Sequence, residues 1–338
     1  MKALEVFKIK DVELRNRIVM PPMCMYSSDD SGIVKDFHRL HYGARAFGGT
    51  GLVIQEATAV ESRGRISDKD LGIWSDEHID GLKELVDMVK GYGAASGIQL
   101  AHAGRKCAVS DEDIIGPSSL PYDDQYAVPR EMTLNDIKEI VQSFKKAAER
   151  ALNAGYDLLE IHGAHGYLIH EFLSPLTNKR TDQYGGNLHN RVRLLSEVID
   201  AVKEVWPETK PLILRVSASD YTEGGIDADM ICEITDLVKD GLDIIHVSSG
   251  GLVPAEMELY PGYQVRFAER IKKECNVPTI AVGLIDDLQM VEFILGSEKA
   301  DLVALGREIL RNPNWVLNNL HRKGIKYRYP EQYFRAYR

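Results

Sequence analysis

The chain has 338 residues, 44% of them hydrophobic and 27% charged, with a formal net charge of −10. That length suits one α/β barrel with inserted loops, and the composition is ordinary for a globular protein, without the ~18 uninterrupted apolar residues of a membrane span. The acidic balance argues against nucleic acid or an anionic membrane as partner, because both draw on net or clustered positive charge, and it favours small molecules instead.

In chain order, Met1-Lys2-Ala3-Leu4-Glu5 lacks the apolar core of a signal peptide, so a cytoplasmic location is the default expectation. A first strand-like run at 18–20 delivers Pro21-Pro22-Met23-Cys24-Met25-Tyr26, and a second at 52–55 delivers Glu56 and Ala57. Ile79, Leu82, Leu85, Val86 and Val89 then line a helical face that Gly91 stops. The third run, 98–101, carries Gln99 and leads through His102 into a connection over 102–132, far longer than the ~2–6 residues usual between a strand and a helix. Thr133-Leu134-Asn135-Asp136 has the form of a capping box, and the face of Ile137, Ile140, Phe144, Ala148 and Ala151 runs on to Gly155. The fourth run, 158–161, ends in His162-Gly163-Ala164-His165-Gly166-Tyr167: two imidazoles and a phenol, separated by residues too small to crowd a ligand. A second long connection spans 163–186. The fifth run, 212–216, contains Arg215, and a helical face from Ile231 to Val238 is stopped by Gly241. Runs at 244–247, 279–282 and 302–305 deliver Ser248-Ser249-Gly250-Gly251, Gly283 and Gly306-Arg307.

Eight strand-helix units in succession favour a closed parallel (β/α)8 TIM barrel, a single domain over 1–338, above an open doubly wound sheet. In such a barrel the carboxyl ends of the strands form the active-site face, so both long connections should cover the ligand. Strands six to eight supply glycines, hydroxyls and one guanidinium, which suits a phosphate. The earlier strands supply a thiol, an amide, imidazoles, a phenol and a second arginine. Together the halves suit a planar, electron-accepting cofactor such as FMN, with Arg215 stabilising negative charge on the reduced ring and Gln99 pairing with a pyrimidine-like edge. Taken singly, each element has a plainer reading: a loop turn at Ser249-Gly250, a surface ion pair at Arg307, core histidines at His162, His102 and His170, and filler at Cys24. Cys107, Cys232 and Cys275 have no spacing that suggests zinc or an iron–sulfur cluster. Two alternatives stay open, and a third lacks its key residue. A metal-dependent hydrolase would use His162, His165, His170 and Glu56; a class I aldolase would need a strand lysine, which none of the runs has; a flavin-binding redox sensor would use Cys24.

The motifs Pro22-Met23-Cys24-Met25-Tyr26, Gly97 through Lys106 (GIQLAHAGRK), His162 through Pro175 (HGAHGYLIHEFLSP), Asn178 through Gly186 (NKRTDQYGG), Arg215-Val216-Ser217-Ala218 and Leu305-Gly306-Arg307-Glu308 resemble, in order, those of the old yellow enzyme family of FMN-dependent ene-reductases, in its cysteine-containing, thermophilic-like bacterial subclass. The resemblance implies noncovalent FMN beside Pro21, Pro22, Met23, Cys24, Ala57, Gln99, Arg215, Ser249, Gly250, Gly283, Gly306 and Arg307, with no metal. It implies a substrate pocket of Tyr26, His162, Gly163, Ala164 and His165, with both histidines on the carbonyl oxygen of an activated alkene and Tyr167 as proton donor. NADPH is the implied hydride source, and a dimer or tetramer the implied assembly, with Arg335 of a tail over 321–338 reaching a neighbouring subunit. Two positions depart from the subclass: Pro21 stands where serine is frequent, losing a hydroxyl contact, and Gly163 stands where alanine is common.

Overall fold

The computed structural model describes residues 1–327 and 329–337. Among them, eight parallel strands form the barrel: β1 (Ile18–Met20), β2 (Leu52–Ala59), β3 (Ala95–Ala101), β4 (Leu158–Gly163), β5 (Leu212–Ser217), β6 (Ile244–Ser248), β7 (Thr279–Ala281) and β8 (Leu302–Ala304). Each pairs with the next in sequence, and β8 returns to β1 with Val303 opposite Ile18, so the sheet closes. The (β/α)8 barrel expected from the sequence is therefore the architecture. The main outer helices are α1 (Asp36–Phe47), α2 (Ile79–Gly91), α3 (Leu134–Ala154), α4 (Leu188–Lys203), α5 (Ala228–Val238), α6 (Val265–Cys275), α7 (Leu288–Gly296) and α8 (Trp315–Arg322). No helix among the described residues is long and apolar enough to cross a membrane.

Side chains alternate across each strand, and the inward set at the amino-terminal end is aliphatic: Val19, Leu52, Leu158, Ile213, Ile244 and Leu302 form one buried cluster. An antiparallel hairpin, Phe7–Ile9 with Val12–Leu14, packs Leu14 into that cluster and closes the floor. Burying such a side chain contributes roughly 1.5–3 kcal/mol, so the aliphatic floor stabilises the lower barrel and leaves the upper part to polar groups.

Strand β2 runs past its expected end because Glu56 is an extra residue: Gln55 lies opposite Ile98 and Ala57 opposite Gln99. The bulge re-aims the Glu56 carboxylate, which accepts from the Tyr42 hydroxyl (2.9 Å) on α1 and from the Met25 N–H (2.7 Å) after β1. The long connections are also less open than their sequences imply. The one after β3 pairs Ile115–Gly116 with Arg130–Glu131, and the one after β4 contains a short helix, Leu168–Leu173. The last described element is a 3-10 helix, Glu331–Tyr337, whose Tyr333 meets Phe47 of α1 edge-on. Within the tail over 321–338, Arg328 and Arg338 lie outside the described residues.

Helix α3 begins at the expected capping box, with Thr133 Oγ1 accepting from the Asp136 N–H and the Asp136 carboxylate accepting from the Thr133 N–H. It ends at Gly155, φ 93°, in the left-handed conformation that favours glycine. Replacing Thr133 by alanine is expected to cost ~1 kcal/mol, read as a lower urea midpoint at unchanged slope. An unchanged midpoint would show that the cap contributes nothing.

Candidate active site

A cavity of about 400 Å3 opens above β5 to β8, lined among others by Arg215, Ser248, Tyr263, Gln264, Gly283 and Arg307. That size lies in the ~300–1,000 Å3 range of small-molecule sites. Gly283 has φ 128°, and a Cβ there would come within 3.1 Å of the Gln264 amide nitrogen, so only glycine leaves this wall open. Gly306 also lines the cavity, and its nearest neighbour to an added Cβ is Met23 Sδ at 3.9 Å. The Arg307 side chain makes no hydrogen bond or ion pair among the described residues. Arg215 donates one bond to Pro22 O (3.3 Å), while its buried Nε has no partner. Unsatisfied guanidinium donors beside a glycine-walled cavity fit a phosphate-bearing planar group such as FMN, which Arg215, Gly283, Gly306 and Arg307 would hold.

Of the other predicted cofactor neighbours, Ser249 turns aside and donates to Gln264 (2.7 Å), and Ser248 takes its place on the cavity wall. Gly250, φ 71°, faces Met257. Pro21, Pro22 and Ala57 are buried, Met23 is partly buried, and Gln99 is buried in the barrel interior. Cys24 is partly buried beside the Ala57 N–H and the Tyr26 hydroxyl. Burial, then Asp70 and Glu56, push its thiol upward, so it stays a neutral S–H. Tyr26 is 45% exposed. Arg335 is exposed on the terminal 3-10 helix.

His162, His165 and Tyr167 converge. The ring of His162 lies 5.2 Å from that of His165 and 4.9 Å from that of Tyr167, edge to face in both cases. His162 Nδ1 accepts from the Ala164 N–H (3.2 Å), which puts its proton on Nε2, 3.4 Å from His165 Nδ1. His165 Nε2 meets Ser248 Oγ at 2.8 Å. Burial and then the Arg215 charge hold both imidazoles well below the usual histidine range, so they are neutral. Burial, with Cys24 and Tyr26 nearby, pushes the Tyr167 phenol well above its ordinary value. The turn itself is constrained. His165 has φ 59° and Gly166 φ 74°, and a Cβ on Gly166 would strike the Gly251 carbonyl and lie 2.8 Å from Leu252 Cα. At Gly163 an added Cβ would lie 3.0 Å from both Arg215 O and Leu214, behind the site.

Several participants escaped the sequence. Lys106 donates to His165 O (2.9 Å) and to Gly251 O, tying the loop after β4 to the loop after β6. Its ammonium sits 5.6 Å from the centre of the Tyr167 ring, and burial pushes it down to about 8. It stands in the Gly97 to Lys106 motif, which was the available signal. Gln264 and Tyr263 come from the connection after β6, where no pattern marks them. Glu56, pushed up to about 7 by burial, serves the Met25 and Tyr42 contacts. His170 pairs with Asp220 (3.0 Å), and its Nδ1 accepts from the Gly166 N–H. No group of three or more histidine, cysteine or acidic residues able to hold a metal occurs among the described residues.

The profile described as "NADH:flavin oxidoreductase / NADH oxidase family" matches residues 4–323. A protein of Clostridium acetobutylicum named NADPH dehydrogenase is 56% identical over 338 residues, all of both chains. One of a Geobacillus species with the same name is 53% identical over 98% of this chain and 97% of its own. Among solved structures, morphinone reductase superposes with a TM-score of 0.81 at 28% identity, covering 96% of this chain and 90% of that one. A 2-naphthoyl-CoA reductase complex gives a TM-score of 0.90 at 25% identity, over 96% of this chain and 52% of that longer one.

Because their values lie well below 6.5, His162 and His165 should remain uncharged from pH 8 down to pH 6. Histidine 15N spectra at both pH values check this. An imidazolium signal from either residue at pH 6 would contradict the assignment.

Proposed function

Since the chain belongs to the NADH:flavin oxidoreductase / NADH oxidase family, the old yellow enzyme family, and is thus an FMN-dependent oxidoreductase fed by NAD(P)H, we propose that it is an ene-reductase acting on α,β-unsaturated carbonyl or nitro compounds. When bound, FMN would supply the hydride chemistry between NADPH and the β-carbon of the alkene. The observation that carries the proposal is the approach of His162 Nε2 to His165 Nδ1 at 3.4 Å, with the Tyr167 ring beside His162.

A substrate oxygen seated at the histidines accepts from His162 Nε2–H. With the Ser248 hydroxyl donating to His165 Nε2, it also accepts from His165 Nδ1–H. Both donors are neutral and buried, so they bind a carbonyl oxygen modestly and an enolate oxygen strongly, which is the differential that lowers a barrier. Tyr167 holds its proton at neutral pH because its value is raised, and it protonates the α-carbon once enolate character develops. Tyr26, exposed at the rim, and the backbone of Gly163 and Ala164 complete the substrate pocket, and Cys24 stands on the cofactor side. Arg335 reaches a neighbouring subunit in a homodimer or homotetramer, so deleting the terminal 3-10 helix lowers activity together with assembly size.

The purified protein is expected to be yellow, to bleach under anaerobic NADPH and to regain colour with cyclohexenone. A protein that stays colourless with added FMN overturns the flavin assignment; one that bleaches and is not reoxidised by the enone is a sensor and not a reductase. Tyr167→Phe should slow reoxidation by weakly activated enones by ~10²-fold or more while leaving reduction by NADPH unchanged. Equal losses in both half-reactions, followed by stopped flow, would remove Tyr167 as proton donor.

A further inference from the structure

Beneath the histidines the barrel interior holds a carboxylate that the proposed reaction does not use. Glu160 occupies the inward position of β4 two residues before His162 and is 1% exposed. Each carboxylate oxygen takes one short bond: Oε1 accepts from Gln99 Nε2 on β3 (2.7 Å), and Oε2 meets His246 Nδ1 on β6 (2.7 Å). Glu160 pairs with Gln99 in register, while Arg215 on β5 pairs with His162 and His246. Arg215 thus faces the same barrel interior as Glu160, and the attraction between the two opposes the cost of burying the guanidinium.

Two consequences follow from donor and acceptor chemistry alone. An ionised carboxylate only accepts, so the Gln99 amide must turn its NH2 towards Glu160 and its oxygen away, a sense that an isolated glutamine would not prefer. Likewise His246 must carry its proton on Nδ1 to satisfy the second oxygen. Breaking such a buried arrangement by removing the charge leaves groups unpaired, whereas the intact one fixes a single orientation.

Resting on the flavin reading above, we infer that Glu160, clamped by His246, is a positioning residue for the cofactor: it holds the Gln99 amide with its oxygen as the free acceptor for the imide N–H of the flavin pyrimidine ring, and it supplies the counter-charge that seats Arg215. A glutamine at 160 can donate to the Gln99 oxygen instead, which lets the amide flip and consumes the acceptor. It also removes a negative charge close to the ring, and that favours the reduced, anionic flavin.

The test uses the full chain stripped of flavin and titrated with FMN and with 3-methyl-FMN, which lacks the imide N–H, following quenching of flavin fluorescence. The wild-type protein is expected to prefer FMN by ~10-fold or more. Glu160→Gln should bind FMN ~10-fold more weakly, nearly lose the preference between the two flavins, and carry bound FMN at a more positive reduction potential. A merely structural defect weakens both flavins alike and preserves their ratio, so an unchanged ratio and potential in Glu160→Gln overturn the inference. Equal wild-type affinity for the two flavins also overturns it, whether or not the variant folds. Failure of the wild-type protein to bind either flavin is a separate result, one that removes the cofactor assignment and this role together.

Discussion

Period-two alternation within a closed parallel barrel is the constraint on which the molecule rests. With strands this short, each contributes only a few inward positions, and their order along the chain becomes their height in the barrel. Strand β4 reads Leu158, Glu160, His162 on its inner side; β5 reads Ile213, Arg215, Ser217; β6 reads Ile244, His246, Ser248. The same vertical sequence repeats: an aliphatic floor, a charged or ionisable middle, and a hydrogen-bonding rim. A one-residue slip in any of these strands would exchange its inner and outer sets, placing a charge against the helical layer and an aliphatic side chain at the rim. The aliphatic floor therefore does more than add stability, because it locks the register that aims the rim.

The middle layer sets the electrostatics of everything above it. Arg215 and Glu160 are both buried and attract one another, which leaves the rim beside a fixed, partly balanced dipole and not beside a bare cation. His162 and His165 sit near the positive end, and this adds to burial in keeping them unprotonated. Cys24 and Tyr167 are pushed the other way and keep their protons. His162, His165, Tyr167 and Cys24 are consequently neutral groups at the rim. Such a set binds a neutral substrate without a large desolvation cost and strengthens when negative charge develops on it.

The sequence disclosed the parts of this arrangement that follow from local chemistry. Aliphatic runs ending in glycine or polar residues marked all eight strands, and the capping box at Thr133 and the glycine at 155 marked both ends of α3. The His162 to Tyr167 cluster was visible because its side chains stand in a row of glycine and alanine. The hidden parts depend on register or on distant pairing. Glu160 looks like one polar interruption of an aliphatic strand until Gln99 and His246 are brought to its two oxygens from β3 and β6. The Glu56 bulge leaves no composition signal, since it is defined by what lies opposite on β3. The sequence pointed to Ser249 for the cofactor, and only the inward alternation of β6 shows that Ser248 is the serine on the cavity wall.

The rim owes its precision to a backbone that few contacts could hold alone. His165 is a non-glycine residue at positive φ, a conformation that costs free energy and persists only when its surroundings over-determine it. Four anchors from different elements do so: Ser217 Oγ accepts from the His165 N–H, Lys106 binds the His165 carbonyl, the His165 ring engages Ser248, and His170, itself braced by Asp220, accepts from the Gly166 N–H. Each anchor is buried or partly buried, and together they draw on β5, the loop after β3, β6 and the short helix after β4. No single one of these contacts sets the histidine geometry. It is the shared solution of four neighbouring segments, which is why a strained turn can serve as a rigid one.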